Sequence, residues 1–176
     1  MDPNPQGDFL QTVQNRLSAN AFTVSADVPA SNRPVYGSLQ PNYLCVGKLL
    51  RYSPLSVIGA IEEDVLACSE WSVDIEKMRL LAGRAITDAQ SRRSRFHGIL
   101  PVVYLYIFPL ILVDEVDPSL EEYFNKNSAP LDKSLVVLPT IYNKATGRID
   151  YYRKVPMFGG AHVSACVKRV QALFTP

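Results

Sequence analysis

The segment Ile99–Val113, ILPVVYLYIFPLILV, runs for fifteen residues without a charge and restricts the possible folds more than any other stretch. Arg92, Arg93 and Arg95 stand before it, and Asp114, Glu115 and Asp117 follow it. A helix that crosses a bilayer takes about 18 or more apolar residues, and this run is shorter and holds Pro101 and Pro109. Its Val, Ile, Tyr and Phe content suits extended chain. At ~3.3 Å per residue the whole run would stretch ~50 Å, more than one ordinary strand. The expectation is a buried strand over Val102–Phe108, disturbed at Pro109 because proline cannot donate to a ladder, with a short continuation through Leu110–Val113. Both alternating faces are apolar, so protein should cover both sides, with Val103, Leu105 and Ile107 in the core.

Apolar residues make up 47% of the chain and charged residues 20%, a globular balance. With 176 residues it fits a single domain over 1–176, with 1–7 a loose, proline-bearing tail. Eighteen basic and 17 acidic residues leave a net charge of +1. That balance supplies no global field for polyanions, so nucleic acid is not an expected partner. Cys45, Cys68 and Cys166 are odd in number and widely spaced, which points to reduced, buried thiols and not to a disulfide or metal framework. The start MDPNPQGDFLQ lacks the basic and apolar segments of a secretory signal, so a cytoplasmic location and no membrane association are expected.

The remaining elements follow from periodicity. Asp8 can cap a helix that lines one face with Phe9, Leu10, Val13 and Leu17 and stops at Asn20 in a left-handed conformation. In AFTVSADV, Phe22, Val24, Ala26 and Val28 alternate with polar residues, as in a half-buried strand. Pro29–Pro41 reads as a loop. Tyr43–Tyr52 and Leu55–Ile61 form an antiparallel pair across Ser53-Pro54, with Glu62, Glu63 and Asp64 closing the second strand. A helix from Ser72 carries Ile75, Met78, Ala82, Ala85 and Ala89 on one face and ends in the basic run. Asp117-Pro118 starts a short helix over Ser119–Lys126. Leu135–Tyr142 and Arg148–Val155 form a hairpin whose loop uses Gly147, and a last helix from Ala161 turns Val163, Cys166, Val167, Val170, Leu173 and Phe174 inward. The order α-β-β-β-α-β-α-β-β-α with short joins implies an α+β fold, a largely antiparallel sheet of about five to six strands with helices packed on it.

Helix, three strands, helix, strand is also the element order of the restriction-endonuclease-like fold. In that fold carboxylates on a hairpin hold Mg²⁺ and a lysine beside them assists the attacking water. Here the corresponding acids are Glu62, Glu63 and Asp64, and the preceding strand offers Lys48 and Arg51 but no aspartate; no Glu-x-Lys follows. Adjacent strand residues point to opposite faces, so Glu62 and Glu63 cannot share an ion without a bend. A solvated strand end explains the cluster without a metal. Arg92, Arg93 and Arg95 with His97 could meet phosphates, but three arginines at a helix C-terminus complement the dipole without a ligand. Arg153 and Lys154 with Gly159 and Gly160 precede a helix start, where an anion can rest on backbone donors, although a tight strand-to-helix turn accounts for the glycines equally. His162 and Cys166 share a helix face, but Cys166 lies on the apolar stripe, where a thiol is inert.

Nucleophile elbows, phosphate loops, dinucleotide fingerprints and two-histidine metal motifs are all absent, so the sequence implies no catalytic residues and no cofactor. The leading expectation is a non-catalytic protein-interaction module whose partner is another protein or a second copy of itself. The tyrosines at 104, 106, 142, 151 and 152 support it, since tyrosine is enriched at interfaces. The alternatives are a divergent metal-dependent nuclease of the restriction-endonuclease-like type, using Glu62, Glu63 and Asp64, and a binder of a small anion at Arg153, Lys154, Gly159 and Gly160.

Overall fold

The computed structural model describes residues 5–30, 40–52, 60–93, 102–132, 134–157 and 159–175. Its elements are α1 (Pro5–Ala19), β1 (Thr23–Pro29), β2 (Asn42–Tyr52), β3 (Ala60–Val73), α2 (Ile75–Ser91), β4 (Val102–Val116), α3 (Ser119–Lys126), β5 (Leu131–Asp132), β6 (Leu135–Val137), β7 (Thr140–Asn143), β8 (Ile149–Tyr151) and α4 (Gly160–Phe174). All eight strands join one mixed sheet, ordered β1-β2-β3-β4-β6-β5, with β7 also paired to β4 and β8 to β7.

The α+β class holds, but the sheet is larger and less antiparallel than expected. β1–β2–β3 is an antiparallel meander, whereas β4 runs parallel to β3, β6 and β7. The cause is α2, which carries the chain back along the sheet and delivers β4 in the same direction as β3. Leu135–Tyr142 is split into β6 and β7, both laid against β4.

β4 is continuous over 15 residues, so Pro109 does not break it. Along this strand Leu105 N–H donates to Ser134 and the Ile107 carbonyl accepts from Leu138, so odd-numbered residues turn their backbone groups toward β6 and β7. The ladder on that side covers Leu105–Ile107 and then Leu110–Val113. Pro109 falls in the gap, where no partner strand asks for the donor it lacks. Leu105 and Ile107 are buried as expected, and Val103's side chain lies outside the described residues.

The third strand departs most from the sequence reading. β3 covers Ala60–Val73, so Glu62, Glu63 and Asp64 lie inside it instead of closing a strand that ends at Ile61, and Leu55–Gly59 lie outside the described residues. All three acids are buried. α2 starts at Ile75, where the Asp74 carboxylate caps the Lys77 N–H at 2.7 Å, one turn later than expected. α1 begins at Pro5, ahead of the expected cap at Asp8.

α1 and α4 cover one face of the sheet and α2 the other. On the first face a Cβ at Gly47 would stand 3.0 Å from Leu17, so glycine lets α1 settle close on β2. On the second, Met78, Leu81, Ala82, Ala85 and Ala89 bury the inner stripe of α2. Gly83 also sits inside α2, where glycine costs about 1 kcal/mol relative to alanine. Neither a positive φ nor a close neighbour requires it there, since an added Cβ would meet nothing within 4 Å.

The residue that leaves α1 in a left-handed conformation is Ala21, at φ 63°, not Asn20. The Asn20 side chain instead donates to the Arg16 carbonyl at 2.9 Å. Alanine pays about 1–2 kcal/mol for that conformation and glycine does not. Ala21→Gly should therefore raise stability by about 0.5–1 kcal/mol, read as a higher urea midpoint at unchanged slope.

Candidate functional site

Because strand residues alternate, the acidic triplet divides. Glu62 and Asp64 face α2, and Glu63 faces α1 and α4. Lys48 lies opposite Asp64 on β2, and its Nζ stands 2.7 Å from Glu62 Oε1. The same Nζ donates to the Arg92 carbonyl at the end of α2, so the lysine ties the β2–β3 hairpin to the helix. Arg92 Nη2 donates to the Pro29 carbonyl at 2.8 Å, and its guanidinium lies over the Tyr43 ring.

Two buried polar atoms here have no partner among the described residues, Asp64 Oδ2 and Arg92 Nη1. Both residues line a cavity of about 20 Å³ closed by Val46, Lys48, Leu66 and Ala89. It has room for one water-sized occupant. Burial pushes the Asp64 carboxyl up to about 7, and the Glu62 charge adds to the rise against Lys48 and Arg92.

The charged lining continues along α2. Arg84, Asp88 and Arg92 recur every four residues on its inner face. Asp88 accepts from Tyr43 Oη at 2.7 Å and from Arg84 Nε at 3.0 Å, all three side chains being buried. Sequence reading took only the apolar residues of this helix as its inner face. The i, i+4, i+8 spacing of Arg, Asp and Arg was the available signal for the network.

Glu63 has a different role. It is fully buried and held by Arg51 at 2.5 Å and Arg169 at 2.7 Å. Arg169 also donates to Asn20 Oδ1 at 3.0 Å, so one carboxylate joins β2, β3 and α4 to the end of α1. The solvated strand end expected for the triplet is thus corrected: all three acids are buried, Glu62 and Glu63 each paired with a cation and Asp64 with one oxygen left unpartnered among the described residues.

The other sequence candidates separate. Arg93 is exposed, and Arg95 and His97 lie outside the described residues. Arg153 stacks over Tyr151 and Lys154 donates to the Lys126 carbonyl. Gly159 has φ 72°, and a Cβ there would stand 2.0 Å from Leu131. Turn geometry and close packing therefore account for that glycine without an anion. His162 Nδ1 pairs with Tyr106 Oη at 2.5 Å, and Cys166 is buried with its thiol pushed up by desolvation, so the two form no catalytic pair. All three cysteines are free and buried. Among the described residues no helix is long and apolar enough to cross a membrane.

No protein-family model matches the chain, and no curated protein does. Among solved structures, NucC of P. aeruginosa ATCC27853 in its cAAA-bound form is similar at a TM-score of 0.37 and 13% identity, over 96% of this chain and 89% of that one. A likeness that slight carries neither fold nor activity across.

The expectation of a non-catalytic interaction module is corrected. The tyrosines that carried it are packed inward and are not presented at a surface. Tyr106, Tyr142, Tyr151 and Tyr152 are buried and Tyr104 is half-buried against His162.

Proposed function

We propose that the chain is a divergent metal-dependent nuclease of the restriction-endonuclease-like type, with its centre on the α2 side of the β2–β3 hairpin. The observation that carries this reading is the convergence of Glu62, Asp64 and Lys48 on one strand face, with Asp64 Oδ2 buried and unpartnered. The order α1-β1-β2-β3-α2-β4 supplies the matching scaffold. Among the described residues no three His, Cys, Asp or Glu side chains form an ion-binding group. Mg²⁺ asks for less than that, since it is held by one or two carboxylates and completes its shell with water and substrate phosphate.

Glu62 and Asp64 would hold the cation, which supplies charge stabilisation to the phosphoryl oxygens when bound. Glu63 has no part in it, being turned to the other face. Lys48 neutralises Glu62 and is anchored by the Arg92 carbonyl, which keeps a positive charge beside the hairpin where an anionic backbone would arrive. Arg92, whose Nη1 has no partner among the described residues, lines the same cavity.

The purified protein should cut plasmid or single-stranded DNA with Mg²⁺ or Mn²⁺, and Asp64→Asn and Glu62→Gln should each lower the rate by at least about 100-fold. Folded protein that shows no metal-dependent cleavage of DNA or RNA, or cleavage that survives both substitutions, would remove this reading.

A further inference from the structure

A groove of about 200 Å³ lies between α2 and α3, away from the hairpin acids. Met78, Ala82, Gly83 and Ile86 form one wall and Pro139 lines the other, so its body is apolar. An engineered cavity of about 150 Å³ accepts benzene, so this space fits one six-membered ring with a substituent. Gly83 is the informative residue. Its helix penalty has no return in packing or backbone conformation, and its missing side chain leaves the groove floor open.

One end of the groove is polar, formed by Arg79, Tyr123 and Tyr152. Arg79 Nη2 donates to Tyr123 Oη at 3.0 Å, its guanidinium lies over the Tyr123 ring, and the Tyr152 ring stands edge-on to Tyr123. The Tyr123 phenol is pulled below its ordinary range, by the neighbouring Tyr152 foremost and then by Arg79. An exposed guanidinium at the end of an apolar groove calls for an acceptor, and an anionic one above all.

We propose that this groove binds a small ring-sized carboxylate, its apolar body over Gly83 and its anionic end at Arg79 and Tyr123. Pockets for small ligands combine an apolar wall with a few convergent polar groups in this way.

Benzoate and cyclohexanecarboxylate are suitable probes, with benzamidine as the ring of opposite charge. Both carboxylates should raise the melting temperature of the full chain saturably, with dissociation constants of about a millimolar, and benzamidine should not. Gly83→Leu should weaken carboxylate binding by more than about tenfold while melting no lower than the natural protein, because leucine is the better helix former. Arg79→Met, at an exposed position, should weaken the carboxylates by about tenfold and gives a second reading that does not depend on the Gly83 variant folding. Absence of saturable binding by either carboxylate, or binding unchanged in both variants, would overturn the proposal. The groove shares no residue with the hairpin site, so either result leaves the nuclease reading where it stands.

Discussion

Asp64→Asn is expected to make the protein more stable at pH 8 and to leave it nearly unchanged at pH 4. The folded-state carboxyl sits at about 7 against an ordinary value of 3.8, raised by burial and by the Glu62 charge and opposed by Lys48 and Arg92. For an acid raised on folding, the unfolded chain loses its proton first. Stability therefore falls as pH climbs through the unfolded value and stops falling once the folded value is passed. Three units correspond to about 4 kcal/mol between pH 4 and pH 8. Asparagine does not ionise and escapes that loss. Urea melts of both proteins at half-unit steps should diverge between these limits and run parallel above pH 8. Curves that stay parallel throughout would show that the buried carboxylate carries no such penalty. Under the proposed function the same substitution lowers the cleavage rate at least about 100-fold, so stability and activity should move in opposite directions, as at sites that trade stability for chemistry.

Its neighbour should behave in the opposite sense. Glu63→Ala removes the carboxylate that Arg51 and Arg169 share and leaves two cations facing each other across β3. Breaking a buried pair from one side costs about 3–5 kcal/mol, and the partial exposure of both arginines puts the expected loss near the lower figure. Equilibrium denaturation at pH 7 measures it directly, and a loss below 1 kcal/mol would mean that the arginines relax into water without strain. Proteolysis should register the change first where α4 meets the end of α1, since Arg169 also holds Asn20 there. Two adjacent acids of one strand would thus respond to removal with opposite signs. Only the face each one points to separates them.

Much of the fold could be read from composition and period. The uncharged run could be satisfied only by a central strand covered on both sides, and β4 has its neighbours β3, β6 and β7 along both edges. The helices followed from the 3.6-residue recurrence of their apolar positions, and α4 buries Val163, Cys166, Val170, Leu173 and Phe174 as that recurrence implies. The division of the acidic triplet between two faces was legible as well, because strand alternation is a property of the backbone alone.

What escaped the sequence is burial of charge and direction of strands. Glu62-Glu63-Asp64 reads as an exposed strand end because carboxylates without partners cannot leave water. The partners of Glu62 and Glu63 come from β2 and from α4, so no local window contains them. Proline at 109 reads as a break, yet the gap between β6 and β7 removes the demand for its missing donor. Parallel pairing of β3 and β4 depends on where α2 lays the chain down, and the tyrosines read as interface residues are taken into the core by the same assembly. The sequence by itself determined which segments become strands or helices and which apolar faces they bury. The tertiary structure decided which charges meet, because those meetings depend on side chains far apart in the chain arriving on the same face of one sheet.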